Sequence, residues 1–172
     1  ANHGMSANGG GVYVNQYTMV FDVKITTTGN WVSFFNTNAD VANDGEAFIR
    51  TDDKVGISGV YDGFFPRNTW NRVAISVDCV NRLIAIYVNG RLQNQVTISG
   101  VDGRWAAYCW DDPDMGIDHI DVFGDNDGDN GSGYISGLAF YDKVLRPGEV
   151  AKLGIAGNPF GPKTAPVGGS IR

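Results

Sequence analysis

The stretch QYTMVFDVKI, residues 16–25, places Tyr17, Met19, Phe21, Val23 and Ile25 on one side of an extended chain. Thr18, Asp22 and Lys24 fall on the other. A period of two is the signature of a strand with one face turned inward, and here it recurs from end to end. WVSFFNTN and AFIRT continue it, KVGISGVY follows the Asp52-Asp53 turn, and NRVAISVD turns Val73, Ile75 and Val77 inward. RLIAIYVNGRLQNQVTIS reads as a hairpin, because Asn89-Gly90 supplies the positive φ angles of a two-residue turn. DHIDVFG and GYISGLAFYD complete about nine short strands. The 24 glycines are about twice the usual share of roughly 7%, which suits a chain that turns often. The pattern predicts an all-β, antiparallel two-sheet β-sandwich of jelly-roll type rather than a β/α protein.

One short helical turn is expected near the C-terminus. In LRPGEVAKLG, Pro147 suits the first helical position and Gly154 the C-terminal cap. Residues 1–156 are read as one sandwich domain. The remaining stretch, 157–172, has three of the six prolines and no strand pattern, as a Pro/Gly-rich tail or linker to a neighbouring domain would. At 172 residues the chain is long enough for one domain with a substantial core. No run approaches the roughly 18 apolar residues of a membrane span. The chain opens with Ala1 and shows no signal peptide, the expectation for a mature fragment or excised domain of a secreted or cell-surface protein.

A net charge of −6 argues against nucleic acid as partner. The acid is concentrated: Asp111, Asp112, Asp114, Asp118, Asp121, Asp125, Asp127 and Asp129 are 8 of the 19 acidic residues. In GDNDGDNGSG, residues 124–133, carboxylates stand at every second position of a flexible turn, an arrangement that can present several hard oxygens to calcium. It is not an EF-hand. Counted from Asp125, the positions for the required Gly and Glu hold Asn130 and Ser136, and strands flank the loop. A calcium site on Asp125, Asp127, Asp129 and Asn130 stands beside the alternative of a solvated acidic turn. A second oxygen-rich loop, NADVANDGEAF, adds Asp44 and Glu46, with Asp40 and Asn43, at a place the sequence leaves open.

Catalysis is disfavoured. A retaining glycosidase needs two carboxylates about 5 Å apart, and the nearest strand pair, Asp118 and Asp121, falls on opposite faces. Two histidines, His3 and His119, cannot build a histidine-rich zinc centre, and G-x-S-x-G is absent. Among the aromatics, Trp70 starts a strand and is expected in the core, with Trp31 and Trp105 as packing residues. Trp110 differs: AAYCWDDPD surrounds it with turn residues and charge. An exposed indole beside Asp111, Asp112, Tyr108 and Arg104 suits stacking on a sugar ring, with the polar groups pairing its hydroxyls. Tyr61, Phe64 and Phe65 in GVYDGFFPRN form a second candidate loop. Cys79 and Cys109 either bridge or remain two free buried thiols.

The combination WNRVAISVD, IAIYVNGRL, VDGRW and DVFGDNDGDNGSGYISGLAFYDKVLRPGEVAKLG resembles the laminin-G-like branch of the concanavalin A-like lectin/glucanase superfamily. HGMSANGGGVYVNQYT is similar to the opening of such domains in bacterial secreted proteins, and the resemblance runs from Gly9 to Gly154. The strand that usually precedes the HGM segment has no counterpart, and the glucanase branch's closely spaced Glu/Asp signature is absent. The resemblance implies relatives among carbohydrate-binding modules, adhesion domains and accessory domains of secreted hydrolases, many with calcium. The expected function is therefore non-catalytic, calcium-associated binding of a polysaccharide or glycan. A protein-interaction or adhesion module, and a sandwich-fold hydrolase or lyase, are the alternatives.

Overall fold

The alternating segments pair into two five-stranded antiparallel sheets that enclose one core. The computed structural model describes residues 3–37, 44–108, 120–125 and 127–156. In chain order the strands are β1 (Gln16–Ile25), β2 (Val32–Asn36), β3 (Glu46–Ile49), β4 (Val55–Ile57), β5 (Val60–Asp62), β6 (Asn71–Asp78), β7 (Leu83–Val88), β8 (Arg91–Thr97), β9 (Asp121–Val122) and β10 (Gly133–Tyr141), followed by helix α1 (Pro147–Leu153). One sheet has the order β10-β1-β6-β7-β8 and the other β5-β4-β3-β2-β9. This is the β-sandwich jelly roll expected from the alternation. Among the described residues no helix is long and apolar enough to cross a membrane.

Between the sheets the inward rows interdigitate: Tyr17, Met19, Phe21, Val73, Ile75, Ile84 and Ile86 meet Phe34, Phe35, Ile49, Ile57 and Phe65. Phe34 packs edge-on against Phe65 with centroids 5.8 Å apart. Truncating a buried Phe of this kind to Ala costs about 3–5 kcal/mol, because the cavity does not fully collapse. Asn94 of β8 reaches across the sandwich, its amide donating to the carbonyls of Val55 and Val60 at 2.8 and 3.0 Å.

The alternation is answered differently on the two outer faces. On the β1 sheet the second row is also buried: Val20, Ala74, Ala85 and Tyr87 lie under Leu145 and Val150 of the C-terminal segment. Pro147 does open α1, the Arg146 amide donates to Glu149 Oε2 at 2.8 Å, and Gly154 follows the helix with a φ of 75°. Thr18 and Asp22 are thus fully buried rather than solvated.

Two expectations are corrected. KVGISGVY is not one strand but the tight hairpin β4–β5, with Ser58 and Gly59 both at positive φ. Trp70 is not core but 41% exposed. Asn71, the first residue of β6, bonds back to the carbonyls of Pro66 and Thr69, and Trp70 stands outside the sheet on that turn.

Candidate functional site

Among the described residues the second sheet has no helix on its outer face, and its β2–β9 edge gathers the acids. Register places Asn36 opposite Glu46 on one side and opposite Asp121 on the other; residues directly paired across strands project to the same face. Asn36 Nδ2 donates to Asp44 at 2.5 Å and to Glu46 at 3.1 Å. Beyond β9 the chain stays beside β2, with the Ser33 amide donating to the Asp129 carbonyl at 2.8 Å. Gly131 permits this approach, since a Cβ there would lie 2.6 Å from Val32. The backbone turns back at Gly128, where φ is 96°, and Asn130 closes the turn with a 2.7 Å bond to the Gly128 carbonyl.

The loop brings Asp125, Asp127 and Asp129 together, each offering a carboxylate oxygen within 4.8 Å of the others. Glu46 joins them. Its pKa is pushed up to about 8, first by burial, then by its hydrogen bond with Asp125 and by repulsion from Asp44, Asp125 and Asp127. Asp127 is raised by its bond to Asp125, and Asp129 by burial and the charge of Asp125. These are signs of like charges crowded together, which favours protonation. Arg104 is the cation at the flank: its Nε donates to the Asp44 carbonyl at 2.6 Å, and its guanidinium stands 3.9 Å from the Asp44 carboxylate.

The donor set suits a hard cation. Calcium takes oxygens at about 2.3–2.6 Å, and the three aspartates can each turn one oxygen toward a shared point. Asp125, Asp127, Asp129, Asp44 and Glu46 would hold it. Asn36 is the participant that sequence reading missed, because within WVSFFNTN it looks like any strand residue. The only prior sign is its place ahead of the acidic NADVANDGEAF loop.

Asn130 lies beside the cluster, in a cleft of about 270 Å³ formed with Gly29, Asn30, Trp31, Thr51, Gly128 and Asp129. Trp31, expected as packing, is half-buried and lines this cleft. It stacks edge-on against Phe48 and Tyr61, with centroids 5.9 and 5.2 Å apart. Tyr61 links the two features. Burial raises its pKa, Arg50 opposes this, and the charges of Glu46 and Asp129 add to the rise. Phe64 is not part of this contact: it is 55% exposed, and its amide is held by Gln93 of β8. Its neighbour Phe65 is core. Tyr108 packs edge-on against Tyr13 at 4.9 Å, and Trp105 is buried, its indole donating to the Glu46 carbonyl at 3.0 Å. Cys79 is a buried free thiol, and burial, with Asp78 and Asp102 nearby, pushes its pKa up to about 12. Cys109, Trp110, Asp111 and Asp112 lie outside the described residues, as does the 157–172 tail.

No family model and no curated protein sequence matches the chain. Solved structures do. A sialidase from Trypanosoma rangeli superposes with a TM-score of 0.59 at 12% identity, over 81% of this chain and 22% of the sialidase. A protein from Bacteroides ovatus, described provisionally as carbohydrate-binding, gives 0.59 at 16% identity, over 84% of this chain and 43% of that one. A heptameric SAP-like pentraxin from Limulus polyphemus gives 0.53 at 16% identity, over 81% of this chain and 69% of the pentraxin. The likeness is one of fold. A laminin-G-like jelly roll fits this architecture in outline, and the chain spans about a fifth of the sialidases it resembles.

Proposed function

We propose that this domain binds carbohydrate without cleaving it, with calcium held by the carboxylate cluster, as a module of a larger secreted or cell-surface protein. One observation carries the reading: a cluster of carboxylates adjoins a polar cleft with Trp31 in its wall, on the sheet face that no helix covers among the described residues. Calcium, when bound, supplies the positive charge that relieves repulsion among Asp44, Glu46, Asp125, Asp127 and Asp129. The neighbours described as carbohydrate-binding and as a pentraxin agree with a binding role. The non-catalytic reading is supported by the crowding of the acids: a glycosidase pair flanks the bond it breaks, whereas Glu46 and Asp127 each interact directly with Asp125.

A protein-interaction or adhesion module is the second reading, favoured by β10, an edge strand on which Tyr134 is 63% and Ile135 50% exposed. A glycan array probed in millimolar calcium and in EDTA decides between them. Calcium-dependent retention of one glycan class is expected. A blank array in both conditions overturns the carbohydrate reading and leaves the edge strand as the surface to pursue.

A further inference from the structure

We propose that the cleft between Trp31 and the Gly128–Asn130 turn is a saccharide subsite for one neutral pyranose ring, selective against sialylated and uronic sugars. This inference rests on the carbohydrate-binding reading above and adds the place and the ligand class.

The size and lining point the same way. A cleft of about 270 Å³ lies just below the roughly 300–1,000 Å³ of pockets for drug-sized ligands, so it takes a single ring. Asn30, Thr51 and Asn130 supply amide and hydroxyl groups that both donate and accept. A purely apolar guest would leave those groups unpaired, which is costly. Trp31 adds an apolar patch to a lining that is mainly polar. A pyranose, polar at its rim and apolar on one face, satisfies both kinds of wall.

Charge selects among sugars. Asp129 lines the cleft, and Asp127, Asp125, Glu46 and Asp44 stand behind it. A divalent ion and Arg104 together do not cancel five carboxylates. Both nearby arginines are committed: Arg50 pairs with Asp52 at 2.5 Å and lies over the Tyr61 ring, while Arg67 pairs with Asp53. A carboxylated sugar would enter a negative field with no free guanidinium to meet it.

The walls are also fixed in advance. The Arg67 side chain, only 3% exposed, donates to the carbonyls of Thr27 and Asn30 on one wall, at 2.6 and 2.9 Å, and of Arg50 on the other, at 3.0 Å. One buried guanidinium thus holds both turns, and Phe48 and Tyr61 hold the indole. Binding then does not have to order these groups.

The full 172-residue chain is first screened on a glycan array, then titrated calorimetrically with xylohexaose, cellohexaose and mannohexaose as neutral probes and with 3′-sialyllactose and trigalacturonate as acidic ones. At least one neutral probe should bind with Kd on the order of 10–1000 μM, and the acidic probes at least tenfold more weakly. Trp31→Ala should weaken binding at least tenfold, with Trp31→Phe intermediate. Because Trp31→Ala could loosen the sheet face, Thr51→Arg, on an exposed turn, blocks the cleft without touching the core and should give the same loss at an unchanged melting temperature. Equal or tighter binding of an acidic probe overturns the selectivity. Neutral binding that survives both Trp31→Ala and Thr51→Arg overturns the subsite and leaves the carbohydrate reading standing. An array blank for every glycan overturns both.

Discussion

The two outer faces of this sandwich treat charge in opposite ways. Under α1, Asp22 and Arg72 form a closed pair, with side chains 1% and 3% exposed. Arg72 grips both carboxylate oxygens at 2.6 and 2.5 Å and also donates to the Leu153 carbonyl. On the face of the other sheet, Glu46 and the Asp125–Asp129 loop bring like charges into contact, with Arg104 the one cation paired at the rim among the described residues. Buried charge that serves the fold comes matched and fully hydrogen-bonded. On the open face Glu46, Asp125, Asp127 and Asp129 set like charge beside like, and the proposed calcium would offset it.

The sharpest way to break this comparison is to unbalance the closed pair. Arg72→Met leaves Asp22 buried and uncompensated, and urea denaturation should register a loss of about 3–5 kcal/mol. The double replacement Asp22→Leu with Arg72→Met should cost clearly less than Arg72→Met alone. A mild single variant would mean that water reaches Asp22 and that the face is not closed.

The opposite operation on the open face should have the opposite sign. In EDTA, Asp127→Asn should leave stability unchanged or raise it, since it removes repulsion. Wild type in calcium at 100 times Kd should gain about 2.7 kcal/mol, which is roughly 5–10 °C in melting temperature for a chain of this size. Asp125→Asn combined with Asp127→Asn should abolish that gain. Superimposable wild-type melting curves in EDTA and in millimolar calcium would remove calcium from the account.

Protonation sharpens the same contrast. Glu46 has a folded pKa of about 8 against an ordinary 4.5, so between those values the folded state binds more protons than the unfolded one. Stability without a cation must therefore fall as pH rises from about 4.5 to 8. Glu46→Gln should flatten the slope, and calcium should too, because the ion favours the ionised form. A melting temperature that climbs over this window in EDTA refutes the crowding of Glu46.

The smallest effect concerns Cys79. Its buried thiol, held near pKa 12, should resist thiol reagents in the native protein and react once the chain is denatured without reductant. Failure to react after denaturation would mean that the sulfur is already bonded, with Cys109 as the partner to examine.

What sequence alone reveals follows the range of the interactions. β1 and the Asn89-Gly90 hairpin are legible because alternation and turn chemistry are local; both Asn89 and Gly90 carry positive φ. The break between β4 and β5 is masked by the alternation running through Ser58-Gly59, although Ser-Gly is itself a turn dipeptide. Burial of Thr18 and Asp22 is invisible too, because their cover arrives more than a hundred residues later. At the site, the spacing of Asp125, Asp127 and Asp129 speaks for itself. Their meeting with Glu46, and that of Trp31 with Asn130, depends on β9 and the following loop lying along the edge of β2.

The Arg67 clasp also bears on how such a domain could diversify. Its bonds on both walls go to main-chain carbonyls, which every residue type possesses. Side chains at Asn30 and Thr51 are consequently free to change while the scaffold beneath them keeps its shape. A lineage, or a library randomised at these positions, can thus explore new sugars without renegotiating the fold.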